Sequence, residues 1–509
     1  MAKENKLNEE PRFKREIIKM CMDYARSLSF DTLTANAACG ILETYVDQLY
    51  QKAVSLSSYS IGEEALNYLR SLYLMAEFCA DWLRQFWKKE LNEYRAYSRS
   101  VNNRLAEDVL EHVFKNTTPV LADVMLEELA ELAWVYWVEQ PERKDDPYQL
   151  YSSHLGNEEY YGLNENASHY SYAFKSVKEN TFLHYVALTQ LERALRWTIK
   201  LTNYAADSLQ RNMPDEVYKV ELINFSQQKK YTYLAHHSFS FVGIQEYNVP
   251  TLIGDSVYNI RQVVFQHIEH HLLIGNNEYC ARFVDWIKRI ILEESNNTIL
   301  LELIEDIGLI YAAQFPGYSI IFASSINYIM IDTQRELAQS GYRSFMQTRY
   351  QDKAQPIYSL KKYISEMQLI GRAEDKELCN MTLDYLYSIV PNDKENAVQH
   401  LQIQKMDLRR ARVVSYGKEL YLYPQITGAA QKVTENYEKS KSYEEQNVIA
   451  RLEQQYKEAG SGCNLPLKDC LTGIKELEEI LLFSNNALFA EGTVAAELFC
   501  LKIAGQFCL

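Results

Sequence analysis

The chain has few of the residues that interrupt regular structure: 18 glycines and 11 prolines in 509 residues, well under the usual shares of roughly 7% and 5%. A sandwich or barrel of many short strands would need far more turn formers than this. There is no apolar run long enough to span a bilayer. The most apolar window, 319–331, is short and contains Ser324, Ser325 and Asn327. Residues 1–19 are polar and charged and show no signal-peptide pattern. Net positive charge is also missing, because the formal balance is −15, which opposes non-specific binding to phosphate backbones. Nine cysteines are scattered without a C-x-x-C pair, so they read as reduced thiols in a helical core and not as a disulfide framework. The expectation is a soluble cytoplasmic protein without a membrane segment.

What is present is helical periodicity. Leu66, Leu69, Tyr73, Ala76, Ala80, Leu83 and Trp87 recur every three or four residues and share one helix face. Met125, Leu129, Leu132 and Tyr136 repeat the pattern, as do Leu188, Leu191, Leu195 and Ile199. Phe283, Trp286, Ile287 and Ile290 form another stripe, and Leu300, Ile304, Ile307 and Tyr311 follow the capping residues Asn296 and Asn297. Ser442 with Glu445 has capping-box spacing, and that helix is expected to stop at Gly460. Two stretches are less helical. Residues 231–242 are rich in aromatic and β-branched side chains, and 412–423 (RVVSYGKELYLY) reads as a hairpin. The expected class is therefore all-α: irregular stacked helical hairpins, as in HEAT-like or TPR-like arrays, or successive bundles, with at most small β-hairpins. No fixed repeat period and no tetratricopeptide or ankyrin signature is present. Breaks divide the chain into helical units at 1–140, 176–340 and 341–509, with a polar boundary at 141–175.

Motifs for catalysis are sparse. No G-x-x-x-x-G-K-[ST] loop, strand-to-helix G-x-G-x-x-G or G-x-S-x-G elbow occurs, so no cofactor is expected. The densest titratable cluster is His267-Ile-Glu-His-His271. His267 and His271, four residues apart, could share a metal, but the order fits neither H-E-x-x-H nor H-x-x-E-H, and no third ligand is legible. Arg261 followed by His267 resembles the R-x(4–6)-H motif of HEPN ribonucleases. In those enzymes the imidazole moves protons and the guanidinium holds phosphate, so Arg261 and His267 are the residues of an alternative catalytic reading. His236-His237 has no partner acid at readable spacing. The basic run Lys405, Arg409, Arg410, Arg412 and Lys418, and the glutamates Glu127, Glu128 and Glu131, read as solvated helix faces.

One central stretch carries a family resemblance. It comprises Ala194–Ala206 (ALRWTIKLTNYAA), Pro250–Arg261 (PTLIGDSVYNIR), the helix through His267–His270, Phe283–Ile287 (FVDWI) and Glu294–Ile299 (ESNNTI). In this order the segments, about residues 180–335, resemble the C-terminal helical sensor regions of bacterial STAND-type antiviral defence NTPases. In that family an effector, an ATPase and the helical array lie on one longer chain, the array senses viral proteins, and the whole oligomerises. The resemblance implies a non-catalytic recognition or scaffold module. Its partner would be a protein, either a viral protein or a separate ATPase or effector. It carries over no catalytic residue, because the matching region has none, and this chain has no phosphate loop of its own. The 38 tyrosines suit such a role, since tyrosine can pack its ring and keep its hydroxyl in water.

Overall fold

The computed structural model describes residues 11–58, 60–96, 101–139, 157–164, 182–239, 241–242, 246–247, 249–335, 359–416 and 419–438. These are mostly helical, as the periodicities require, with three two-stranded β pairs among the described residues. They cluster into two compact units. The first holds the described residues up to Tyr218 together with Leu234–Phe239 and Tyr247–Leu300. The second holds Lys219–Tyr233, Ser240–Glu246 and the described residues from Leu301 onward.

The first unit begins with α1 (Pro11–Ser27), α2 (Thr32–Ser55), α3 (Glu63–Leu74), α4 (Ala76–Arg95) and α5 (Val101–Lys115). It continues with α6 (Pro119–Val124), α7 (Leu126–Trp137), α8 (Asn157–Tyr160), α9 (Phe182–Thr189) and α10 (Leu191–Asn212). Caps set several boundaries. Asp31 accepts a hydrogen bond from the Thr34 N–H at the start of α2, and Thr118, followed by Pro119, does the same for Leu121 at α6. The stripe from Leu66 to Trp87 is not one helix. The backbone breaks at Met75 and kinks at Cys79, whose thiol donates to the carbonyls of Leu72 and Met75. Leu69, Tyr73, Leu83 and Trp87 are nevertheless all buried. Met125, Leu129, Leu132 and Tyr136 are buried as well, whereas Leu188 ends outside the core because α9 stops before Gln190. The rings of Phe114, Trp137 and Phe182 pack together at tilted and edge-on angles, the first two with centroids 4.3 Å apart. Burying each such side chain contributes about 1.5–3 kcal/mol. Cys21, Cys39, Cys79, Cys280 and Cys379 are buried free thiols.

Within the stretch expected to be a polar boundary, Tyr161, Leu163 and Asn164 are buried. The Asn164 side chain donates to the Tyr136 carbonyl, and its backbone N–H donates to Trp137. Gly162, at φ +71°, lies so close to α10 that a Cβ there would fall 2.5 Å from Ser208 Oγ, so glycine is required. The unit closes with α11 (Thr251–Leu273) and α12 (Asn277–Glu294). Asn297 is fully buried and caps locally, its side chain accepting from the Ile299 N–H.

Strands β1 (Tyr218–Asn224) and β2 (Lys229–Ala235), most of whose residues belong to the second unit, pair across a short turn, and β3 (Phe241–Val242) pairs with β4 (Glu246–Tyr247). Helices α13 (Leu301–Ile310), α14 (326–335), α15 (Leu360–Ile370), α16 (Ala373–Ile389), α17 (Ala397–Met406) and α18 (Ala429–Glu438) follow. The expected hairpin at 412–423 is present as β5 (Arg412–Tyr416) and β6 (Glu419–Tyr423), antiparallel with Arg412 opposite Tyr423. The centre of this unit is charged. Arg335, 4% exposed, bridges Glu305 (3.0 Å), Asp332 (2.8 Å) and Asp306 (3.3 Å). Tyr328 also donates to Glu305. The other Asp332 oxygen accepts the Leu360 N–H and so fixes the start of α15. The helix expected at 442–460, Cys463, Cys470, Cys500, Cys508 and Lys418 lie outside the described residues. Among the described residues no helix is long and apolar enough to cross a membrane.

Candidate functional site

Helix α12 presents two different faces. Cys280, Val284, Ile287 and Ile291 are spaced three and four apart and face the core. Further round the helix Tyr279, Arg282, Phe283, Trp286 and Arg289 are half-exposed or exposed. The expected stripe Phe283–Ile290 is therefore split: Ile287 and Ile290 are core, while Phe283 and Trp286 form a rim outside it. The rim continues onto α11. The His267 ring lies 4.2 Å from the Phe283 centroid, His271 lies 4.4 Å from Tyr279, and Phe283 lies 5.8 Å from Trp286. At the α11–α12 turn, which passes through Gly275 at φ +74°, Leu273 is 87% exposed and Ile274 59%. Burial in this aromatic layer and the neighbouring histidines hold the His267 imidazole below its ordinary pKa.

Arg261 and His267 are on the same helix but turn to different neighbours. They are six positions apart, or about 120° around the helix axis. Arg261 stacks on Phe265 at 4.8 Å, whereas His267 packs against α12. His267 and His271 do lie side by side, with centroids 4.5 Å apart, and the His267 Nε2 and His271 Nδ1 atoms are buried without hydrogen-bond partners. Among the described residues no third metal-ligating group joins them. The basic run is partly neutralised in place: Arg409 bonds Asp407 and Asp384, and Arg410 lies over Tyr387. Glu127, Glu128 and Glu131 pair with Arg193, Arg84 and Arg95 on neighbouring helices.

A second cluster gathers around His236, between β2 and the short 3-10 helix His237–Phe239. Its Nε2 meets Glu216 Oε2 at 3.2 Å, and its Nδ1 meets Ser238 Oγ at 2.7 Å. Ser238 Oγ in turn meets Tyr161 Oη at 2.6 Å. His236, Ser238 and Tyr161 are buried, while Glu216 is half-exposed and His237 exposed. Desolvation lowers the His236 pKa and the Glu216 hydrogen bond works against it. Glu216 is the partner acid that the sequence did not reveal. It lies 20 positions earlier, in the turn that ends α10, where its N–H donates to the Met213 carbonyl. A cavity of about 320 Å³ also lies among α7, α9, α10 and α11, with Phe182, Val186 and Trp197 in its wall. The buried Trp197 Nε1 has no acceptor. No protein-family model and no curated protein matches the chain.

Proposed function

We propose that the chain is a non-catalytic helical recognition or scaffold module that binds a protein partner, and that it is the sensor part of a bacterial antiphage defence system. The observation behind the binding role is the outer face of α12. Tyrosine, tryptophan and arginine are the residues that dominate interface energetics. Here Tyr279, Arg282, Trp286 and Arg289 repeat along one helix beside exposed Leu273 and Ile274. Scattered exposed apolar residues need no explanation, but a contiguous aromatic and arginine stripe does. The defence role is supported by the similarity of residues 180–335 to STAND sensor regions, a stretch that contains α11 and α12.

The test is affinity purification of the tagged full chain from bacteria before and after phage infection, set beside a Tyr279→Ala/Trp286→Ala variant. A stoichiometric viral or host protein that wild type retains and the folded variant loses would support this reading. Equal capture by both chains would remove α12 as the contact. Recovery of RNA alone would favour the ribonuclease reading, and His267→Ala should then abolish RNA cleavage.

A further inference from the structure

We propose that Glu216, His236 and His237 form a binding site for a divalent first-row transition-metal ion, with zinc the best match. Two imidazoles and one carboxylate are a donor set suited to such ions. One donor atom from each lies within 4.8 Å of the other two. Ligands bonded at about 2.0–2.2 Å to a tetrahedral zinc lie about 3.3 Å apart, so closure needs an inward shift of at most about 1.5 Å. The two members that would move are the exposed ones, Glu216 and His237, whereas His236 is buried and fixed.

What separates this group from a chance surface cluster is the support behind His236. A metal-bound histidine ordinarily has its second ring nitrogen hydrogen-bonded, which fixes the ring and its tautomer. His236 already has that arrangement: Nδ1 meets Ser238 Oγ at 2.7 Å, and Ser238 Oγ is held by Tyr161 Oη at 2.6 Å. Without metal, the Ser238 backbone N–H reaches Nδ1 at 3.2 Å and Nε2 shares its proton with Glu216. When metal takes Nε2, that proton moves to Nδ1 and is accepted by Ser238 Oγ, whose own hydrogen turns to Tyr161 Oη. The exposed side keeps an entry path and a coordination position for water. The His236 and His237 ring centroids lie 3.9 Å apart, which brings the two imidazoles together.

The experiment is zinc titration of the full chain after dialysis against a chelator, followed by calorimetry, with cobalt as a visible-absorption probe of coordination. One zinc per chain is expected. His237→Ala and Glu216→Gln, both at exposed positions that leave the buried Ser238–Tyr161 pair intact, should each weaken binding at least about tenfold. His267→Ala/His271→Ala should leave it unchanged. The proposal is overturned if zinc does not saturate the chain at micromolar concentration. It is equally overturned if binding survives the Glu216 and His237 changes, or is lost only with the His267/His271 pair.

Discussion

Each unit has a glutamate with almost no exposure, Glu90 in the first and Glu305 in the second, and these two are stabilised differently. In the first, Glu90 on α4 is fully buried. One oxygen accepts from Tyr50 Oη at 2.8 Å, and the other has no donor, with Lys89 Nζ at 3.6 Å. In the second, Glu305 on α13 accepts from Tyr328 and pairs with Arg335, and its other oxygen likewise has no donor. Loss of water raises both pKa values, Glu90 to about 7 and Glu305 well above its ordinary range. The second shift is instructive because a guanidinium lies beside Glu305. That single charge is shared with Asp332 and Asp306, while Glu302 adds repulsion. A counterion divided among several carboxylates offsets the burial of each less than it would that of a single partner. Its main effect is to make the cluster depend on one arginine.

The largest effect should follow from removing that arginine. Arg335→Leu leaves the acidic side chains buried without their cation, and we expect a loss of about 3–5 kcal/mol. All six tryptophans (Trp82, Trp87, Trp134, Trp137, Trp197 and Trp286) belong to the first unit. Urea unfolding followed by far-ultraviolet circular dichroism should therefore shift, and tryptophan fluorescence should shift less. If the two signals move together, the units unfold as one. If neither moves, the network contributes nothing to stability.

Glu90 makes the opposite case. Its folded pKa of about 7 lies above the ordinary 4.5, so the folded state binds the proton more tightly. The resulting stability is complete below about pH 4.5 and is lost as pH rises through about 7. Glu90→Gln keeps an acceptor for Tyr50 and removes the titration. The variant should match wild type near pH 4.5 and exceed it at pH 8.5 by up to about 3 kcal/mol, read from the fluorescence transition. A constant difference across this range would mean that Glu90 stays ionised when buried.

A smaller loss, about 1–3 kcal/mol, is expected from Gly162→Ala. It combines a positive φ with the contact against Ser208, and thermal unfolding would measure it. A wild-type melting temperature would show that the turn near Tyr161 can relax.

The all-α class and the hairpin at 412–423 were legible because each depends on local periodicity and turn residues. The helix breaks at Met75 and Gln190 were not, since apolar spacing continues through both and no glycine or proline marks them. The division of α12 was half legible. Spacing put Phe283, Trp286, Ile287 and Ile290 on one broad face, but which edge meets the core depends on what packs there. His236-His237 was noticed without its acid, because Glu216 reaches it only through the fold. Arg335 was invisible for the same reason: its partners Glu305 and Asp306 lie about thirty positions away on another helix. Local order shows in a sequence, whereas encounters between distant charges do not.

The two tyrosines test the comparison most finely. Tyr50 is the hydrogen-bond donor to Glu90, and Tyr328 shares Glu305 with Arg335. A hydrogen bond to a charged acceptor contributes about 1.5–3 kcal/mol, and one between neutral groups about 0.5–1.5. Glu90 changes from neutral to charged between pH 5 and pH 8.5, so Tyr50→Phe should cost more at the higher pH. Burial, with Asp332, Asp306 and Glu302, pushes Glu305 well above its ordinary range, so its charging is delayed to higher pH than that of an ordinary glutamate. While Glu305 is protonated, Tyr328→Phe should cost about 1 kcal/mol, with its ring still stacked on Phe322. A Tyr328→Phe cost of about 1.5–3 kcal/mol already at pH 5 would mean that Arg335, although shared, holds Glu305 ionised. The two buried glutamates would then differ in charge and not only in surroundings.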